Sequence, residues 1–164
     1  IIPGVRPPRE VDERDVEYIL RLLEESLATE IAQRIINLDV NENFVVIRFP
    51  GTVAFPSGTA RIAEDFSPTI HKIGSVLAQT KGDILVAGHT DSTPISTTQF
   101  RSNWDLSTAR AVSVVHQLLA DGFIDGVRLT AQGFADTRSL APNDTIENRS
   151  LNRRVEISVE IPTF

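Results

Sequence analysis

The chain has 164 residues, 41% of them hydrophobic, and a formal charge of −6, which suits one globular domain with a short appendage and argues against disorder over most of its length. It contains neither Cys nor Met, so a disulfide scaffold, a thiolate nucleophile, a Cys-ligated zinc and a cysteine-bound cluster are excluded. There is no run of about 18 apolar residues and no signal-peptide pattern, and the start at Ile1 without any Met reads as the mark of a fragment of a longer chain.

Residues 1–11 are predicted to be a linker, because Pro3, Pro7 and Pro8 fix dihedrals and remove amide donors. Residues 12–42 form an acidic segment. Its apolar positions Val16, Ile19, Leu20, Leu23, Leu27, Ile31 and Ile35 recur at steps of three and four, one stripe along a helix of about five turns. Asp12, Glu13, Asp15 and Glu17 crowd its start, where the helix dipole favours negative charge. Two readings of this helix stand open: it docks on the domain, or it links the domain to something upstream and undocks.

Residues 43–164 are read as the domain proper. Phe44 to Phe49 is a β-branched and aromatic run ended by the breaker pair Pro50-Gly51. Phe55 to Ala60 reads as a loop, and Phe66, Ile70, Ile73 and Leu77 have helical spacing with Pro68 in the first turn. Ile84 to Ala87 is a buried-type strand that runs into Gly88-His89-Thr90-Asp91, followed by a polar loop from Ser92 to Gln99. A helix is predicted from about Asn103 to Ala120, with Ala111, Val115, Leu118 and Leu119 on its core face and Asp121-Gly122 as its stop.

Val127, Leu129 and Ala131 alternate with polar residues as a half-buried strand, and Asp144 or Thr145 is placed to cap a short helix through Asn152. Val155, Ile157, Val159 and Ile161 then alternate with polar residues in the cleanest strand pattern of the chain. The order is a helix followed by β-α-β-α-β-α-β, an α/β (α+β) sandwich with a mixed sheet and helices on one face.

Charge is unevenly divided among these parts. Residues 1–42 hold ten acids and five bases, whereas residues 43–164 hold twelve acids and eleven bases, so the acidity belongs to the N-terminal segment. Fourteen of the sixteen bases are Arg, the side chain suited to bidentate recognition of carboxylates and phosphates.

Catalytic chemistry finds little support. His71, His89 and His116 lie in different segments, and no HExxH, GxSxG, GxGxxG or P-loop spacing occurs. His89 and Asp91 lack a third metal ligand nearby, so no metal or cofactor is predicted. One Trp and one Tyr in the whole chain, with no basic stripe, do not make a nucleic-acid surface.

What remains is a set of polar side chains at strand and helix ends. Thr90 and Asp91 follow a central strand, and Asn103, Ser107 and Arg110 at i, i+4 and i+7 share one face of the next helix. A carboxylate and a guanidinium held apart across a crevice suit a zwitterion, Asp91 taking an ammonium and Arg110 a carboxylate. The bland alternative is that Asp91 and Arg110 pair with each other at the surface.

Gly88-His89-Thr90-Asp91, Asn103-Trp104-Asp105-Leu106-Ser107-Thr108-Ala109-Arg110-Ala111, Gly133 and Asn152-Arg153-Arg154-Val155 come in one order over roughly residues 50 to 161. In this they resemble the GHTD, NxxLSxxRA, G and NRRV landmarks of the OmpA-like peptidoglycan-binding domain. Within that family, Phe55-Pro56-Ser57-Gly58-Thr59-Ala60 and Ser102-Asn103-Trp104-Asp105-Leu106-Ser107 are most similar to flagellar motor stator B subunits of the MotB or PomB type.

The resemblance implies a noncatalytic periplasmic domain, anchored in the inner membrane by an upstream helix, that grips the diaminopimelate of the peptidoglycan stem peptide. It implies Asp91 and Arg110 as the charged pair, with Thr90, Asn103, Leu106 and Ser107 lining the groove. Asn152 and Arg153 match the NRRV landmark, where fixing the last strand is as good a role as touching ligand. A homodimer and a stator A-subunit partner are implied as well, and binding would hold an ion-driven motor stator to the wall. The alternatives are an outer-membrane or lipoprotein anchor of the OmpA or Pal kind, a non-flagellar stator-like complex, and, from another class, a wall-cutting hydrolase.

Overall fold

The computed structural model describes Gly4 and residues 15–162. The linker prolines Pro3, Pro7 and Pro8, and Asp12 and Glu13 of the acidic start, lie outside the described residues. Asp15 caps the first helix by accepting from the Glu17 amide, and α1 runs over Val16–Ser26. The predicted five-turn helix is not continuous. Leu27 leaves helical geometry at φ −109°, ψ 19°, and a second short helix, α2, covers Ala28–Ala32. The break turns the chain so that both Leu27 and Ile36 reach the core, and Arg34, at φ 60°, completes the turn.

A strand that the sequence pattern did not signal follows, β1 at Asn37–Asn41. Its residues are mostly exposed and polar, so only backbone pairing makes it a strand: it lies antiparallel to β2, Phe44–Pro50, from Asn37 opposite Arg48 to Asn41 opposite Phe44. Beyond Pro50 the expected break is a four-residue helix, α3 at Gly51–Ala54. The remaining elements are α4 at Ser67–Leu77, β3 at Ile84–His89, α5 at Asn103–Ala120, β4 at Leu129–Gly133, α6 at Ile146–Asn152 and β5 at Arg154–Glu160.

The five strands form one mixed sheet in the order β1-β2-β5-β3-β4, with β3 and β4 parallel and the other pairs antiparallel. Register stacks apolar residues in rows on one face: Val45, Val159, Ile84 and Leu129; then Ile47, Ile157, Val86 and Ala131; then Phe49, Val155, Gly88 and Gly133. Helices α1, α4 and α5 pack on that face, where Ile19, Leu23, Ile70, Ile73, Val114 and Leu118 are fully buried. The N-terminal helix thus shares the core of the domain in this structure, and Glu30 adds an ion pair to Lys72 of α4 at 2.6 Å.

Two core assignments shift by a residue or two. Val127 is 86% exposed, because Asp125 caps a 3₁₀ turn over Gly126–Arg128 and the strand begins only at Leu129. On α5 the buried stripe is Ala111, Val114 and Leu118, while Val115 is half-buried and Leu119 lies at the surface. Among the described residues no helix is long and apolar enough to cross a membrane.

Candidate ligand-binding groove

A cavity of about 460 Å³ lies at the C-terminal end of β3, between the loop after that strand, the N-terminal turns of α5 and the segment after α3. Strand ends are where side chains leave the sheet and a crevice can form. Two glycines let α5 come close enough to close this space. A Cβ on Gly88 would sit 2.1 Å from the Ser107 carbonyl oxygen, and one on Gly133 would meet Thr108 at 2.2 Å, so any larger residue pushes the helix off the sheet.

Asp91 is 5% exposed and lines this cavity. Its Oδ1 accepts from the Thr93 amide at 2.9 Å, and its Oδ2 accepts from Arg153 Nη1 at 2.6 Å. The sequence-level alternative of an Asp91–Arg110 pair is therefore replaced: the carboxylate pairs with Arg153. Arg110 reaches the cavity from α5, donates from Nε to the Thr59 carbonyl at 2.8 Å, and lies 4.9 Å over the Phe55 ring. Among the described residues it has no carboxylate partner. Burial and then the nearby Arg153 charge lower its guanidinium to about 10, so it remains protonated at neutral pH.

Asn103 clamps the loop over the cavity, its Nδ2 donating to the Thr93 carbonyl at 3.0 Å and to the Asp91 carbonyl at 3.5 Å. Thr90 is buried; its amide donates to the Ala135 carbonyl and its hydroxyl to the Asp91 carbonyl. Leu106 supplies an apolar wall. Thr90, Asp91, Asn103, Leu106, Arg110 and Arg153 thus come together in one lining.

Ser107 and Asn152 do not line it. Ser107 is fully buried; its hydroxyl donates to the Trp104 carbonyl and accepts from the Ala135 amide. That ties α5 to the turn whose carbonyl holds Thr90. Asn152 is fully buried too, accepting from the Leu140 and Ala141 amides and donating to the Ala141 carbonyl. It shapes the loop after β4 and the exit from α6.

Thr52, Phe55, Ser57, Gly58, Thr93 and Ile95 complete the wall, at positions that no spacing in the sequence marks as site residues. The Phe55–Ala60 loop was visible as a motif; its approach to Arg110 was not, since the two lie 55 residues apart.

Beneath the site, Glu156 of β5 accepts from Arg48 at 2.9 Å and Arg154 at 3.1 Å, and lies 3.2 Å from Nε2 of His89. Burial alone would raise its carboxyl, but the bonds and charges of His89, Arg154 and Arg48 outweigh burial and hold it at about 2. His89 stacks on Phe134 at 5.1 Å. These contacts brace the end of β3 from which Thr90 and Asp91 project. No cluster of three or more potential metal ligands occurs among the described residues.

In the cavity lining one carboxylate, Asp91, stands against two guanidinia, Arg110 and Arg153; fixed opposed charges of this kind suit a ligand that carries both signs. The fold and groove define a ligand-binding module. The chain belongs to the OmpA family, whose model matches residues 54–153.

It is similar to Motility protein B of Bacillus subtilis, 29% identical over 149 residues, which are 90% of this chain and 57% of that protein. Among solved structures, it is similar to the cell wall anchor of the T6SS from Pseudomonas aeruginosa, with 37% identity, 85% of this chain and 97% of that one covered, and a TM-score of 0.79. The periplasmic domain of Helicobacter pylori MotB matches with 28% identity, 81% and 85% coverage and a TM-score of 0.71. The chain spans about half the length of the curated relatives it matches.

Proposed function

We propose that the domain binds peptidoglycan through the diaminopimelate of the stem peptide, and so anchors an ion-driven motor stator to the wall from the periplasm. The observation that carries this reading is Arg110: a charged guanidinium that lines the same cavity as the carboxylate of Asp91 but pairs with no carboxylate among the described residues. The far end of diaminopimelate bears an ammonium and a carboxylate. The carboxylate completes Arg110, and the ammonium joins Arg153 on Asp91, whose two oxygens offer about four acceptor sites. The likeness to a solved cell wall anchor supports a wall ligand, and the likeness to a periplasmic MotB domain supports the compartment.

Each charge-assisted bond of this kind is worth about 1.5–3 kcal/mol, roughly ten- to a hundredfold in affinity. Pull-down on purified sacculi is the test, with Asp91→Asn and Arg110→Gln compared with the parent after circular dichroism has confirmed folding. Undiminished retention of both variants refutes the groove. Walls that carry lysine in place of diaminopimelate lack the carboxylate for Arg110 and should retain the parent domain ten- to a hundredfold less.

The helix α1 bears on the mechanical part of this reading. Ile19, Leu23 and Leu27 are fully buried, and at about 1.5–3 kcal/mol per side chain their exposure costs roughly 5–9 kcal/mol. Undocking to extend the reach of the domain is therefore not spontaneous and has to be driven by tension or by a partner. A homodimer and a stator A-subunit partner belong to the same proposal. The T6SS likeness, at 37% identity, favours a non-flagellar anchor as the second reading; the sequence upstream in the gene separates the two, since a stator needs a membrane helix bearing an ion-carrying acid.

A further inference from the structure

A second cavity, of about 200 Å³, shares Arg153 with the groove. The turn after α2, strand β2, and α6 with the loop before it form its walls, and four guanidinia line it: Arg34, Arg48, Arg153 and Arg154. Their internal partners do not exhaust them. Glu156 takes Arg48 and Arg154, and Arg154 spends its remaining donors on the Asn152 and Arg138 carbonyls. Arg153 gives Nη1 to Asp91, but its Nε is buried with no acceptor. Arg34 makes no ion pair among the described residues and lies at the mouth, exposed.

Four guanidinia that share only two carboxylates among the described residues, Glu156 and Asp91, leave an excess of positive charge that calls for an anion. The rest of the wall says what carries it. Ile35, Leu140 and Leu151 are apolar, and the last two are 48% and 57% exposed, which sets an aliphatic face beside the charges. The volume of about 200 Å³ admits a residue of alanine size together with the amide that precedes it.

We propose that this cavity is a carboxylate subsite for the C-terminal D-alanine that follows diaminopimelate in a wall peptide. Arg34 and Arg153 bind the carboxylate, and Leu140 and Leu151 flank the methyl group. Because Arg153 lines both cavities, one peptide spans the two. The proposal rests on the groove reading only for the identity of that peptide.

The test is an amide NMR titration of the protein with N-acetyl-D-alanine. Shifts are expected at residues 34–37 and 150–154, and they should be lost in Arg34→Asn and Leu151→Glu. Both changes are compatible with the fold: Asn tolerates the φ of 60° at Arg34, and Leu151 is more than half exposed. No shift at those residues, or preference for N-acetyl-L-alanine, which assigns the cavity to a protein C-terminus, overturns the proposal.

In a second arm, a diaminopimelate-D-alanine muropeptide should bind about five- to tenfold more tightly as the free acid than as the C-terminal amide. Equal affinities overturn the subsite while leaving the groove intact. If the muropeptide does not bind but N-acetyl-D-alanine still shifts the cavity amides, the groove reading fails and the subsite stands.

Discussion

Along α5 the first turns bring Asn103, Leu106 and Arg110 to the groove, whereas Ala111, Val114 and Leu118 press on the sheet and α4. The groove half is held by polar contacts between distant segments: Arg110 to Thr59, Asn103 to Thr93, Arg153 to Asp91. The core half is held by close-packed apolar rows. Hydrophobic burial scales with area and tolerates small displacements in composition, while a paired ligand charge depends on the placement of one atom. Stability and recognition are therefore separable in this domain, and substitutions in either half can break that separation.

The largest effect belongs to the apolar half. Leu23→Ala on α1 removes a fully buried side chain and should cost about 2–5 kcal/mol in urea unfolding, with wall retention unchanged wherever the protein remains folded. Next comes Glu156, which bridges the two halves. Its carboxyl sits at about 2, below the ordinary 4.5, so the stability it confers is complete above about pH 4.5 and is lost as pH falls through about 2. Integrated, that is about 3 kcal/mol. Glu156→Gln should flatten the acid limb of the stability curve; an unchanged limb would show that the Arg48–Glu156–Arg154 network is not what braces the site.

Arg110→Gln should lose roughly 1.5–3 kcal/mol of ligand binding and leave unfolding nearly unaltered, because loss of the bond to Thr59 is offset by relief of a buried charge beside Arg153. A large stability loss in this variant would break the separation outright. The smallest effect is expected at Thr145, whose hydroxyl accepts from the Asn148 amide at the start of α6. Thr145→Ala should cost about 1 kcal/mol in stability, with a lesser drop in retention transmitted through Arg153.

The elements with strong periodicity were legible in the chain: the α5 limits, the alternation of Val155 to Ile161, and the capped helix before it. In the groove, Asp91 and Arg110 were identified as charged residues flanking one crevice. Their partners were not, because Arg153 lies 62 residues from Asp91 and Thr59 lies 51 from Arg110. Ser107 and Asn152 shared motifs with groove residues, yet their hydroxyl and amide are consumed by buried backbone groups.

By itself, then, the order of residues determined the α+β class, the principal helices and strands, and the charges that end up at the groove, since those follow from local propensity and from periods of 3.6 and 2. Tertiary structure alone decided the edge strand β1, the break at Leu27, and the choice of Arg153 over Arg110 as partner to Asp91. Each of those depends on which distant backbone or side chain is brought within hydrogen-bond reach. That is a property of the packed sheet and helices, carried by no local stretch of the chain.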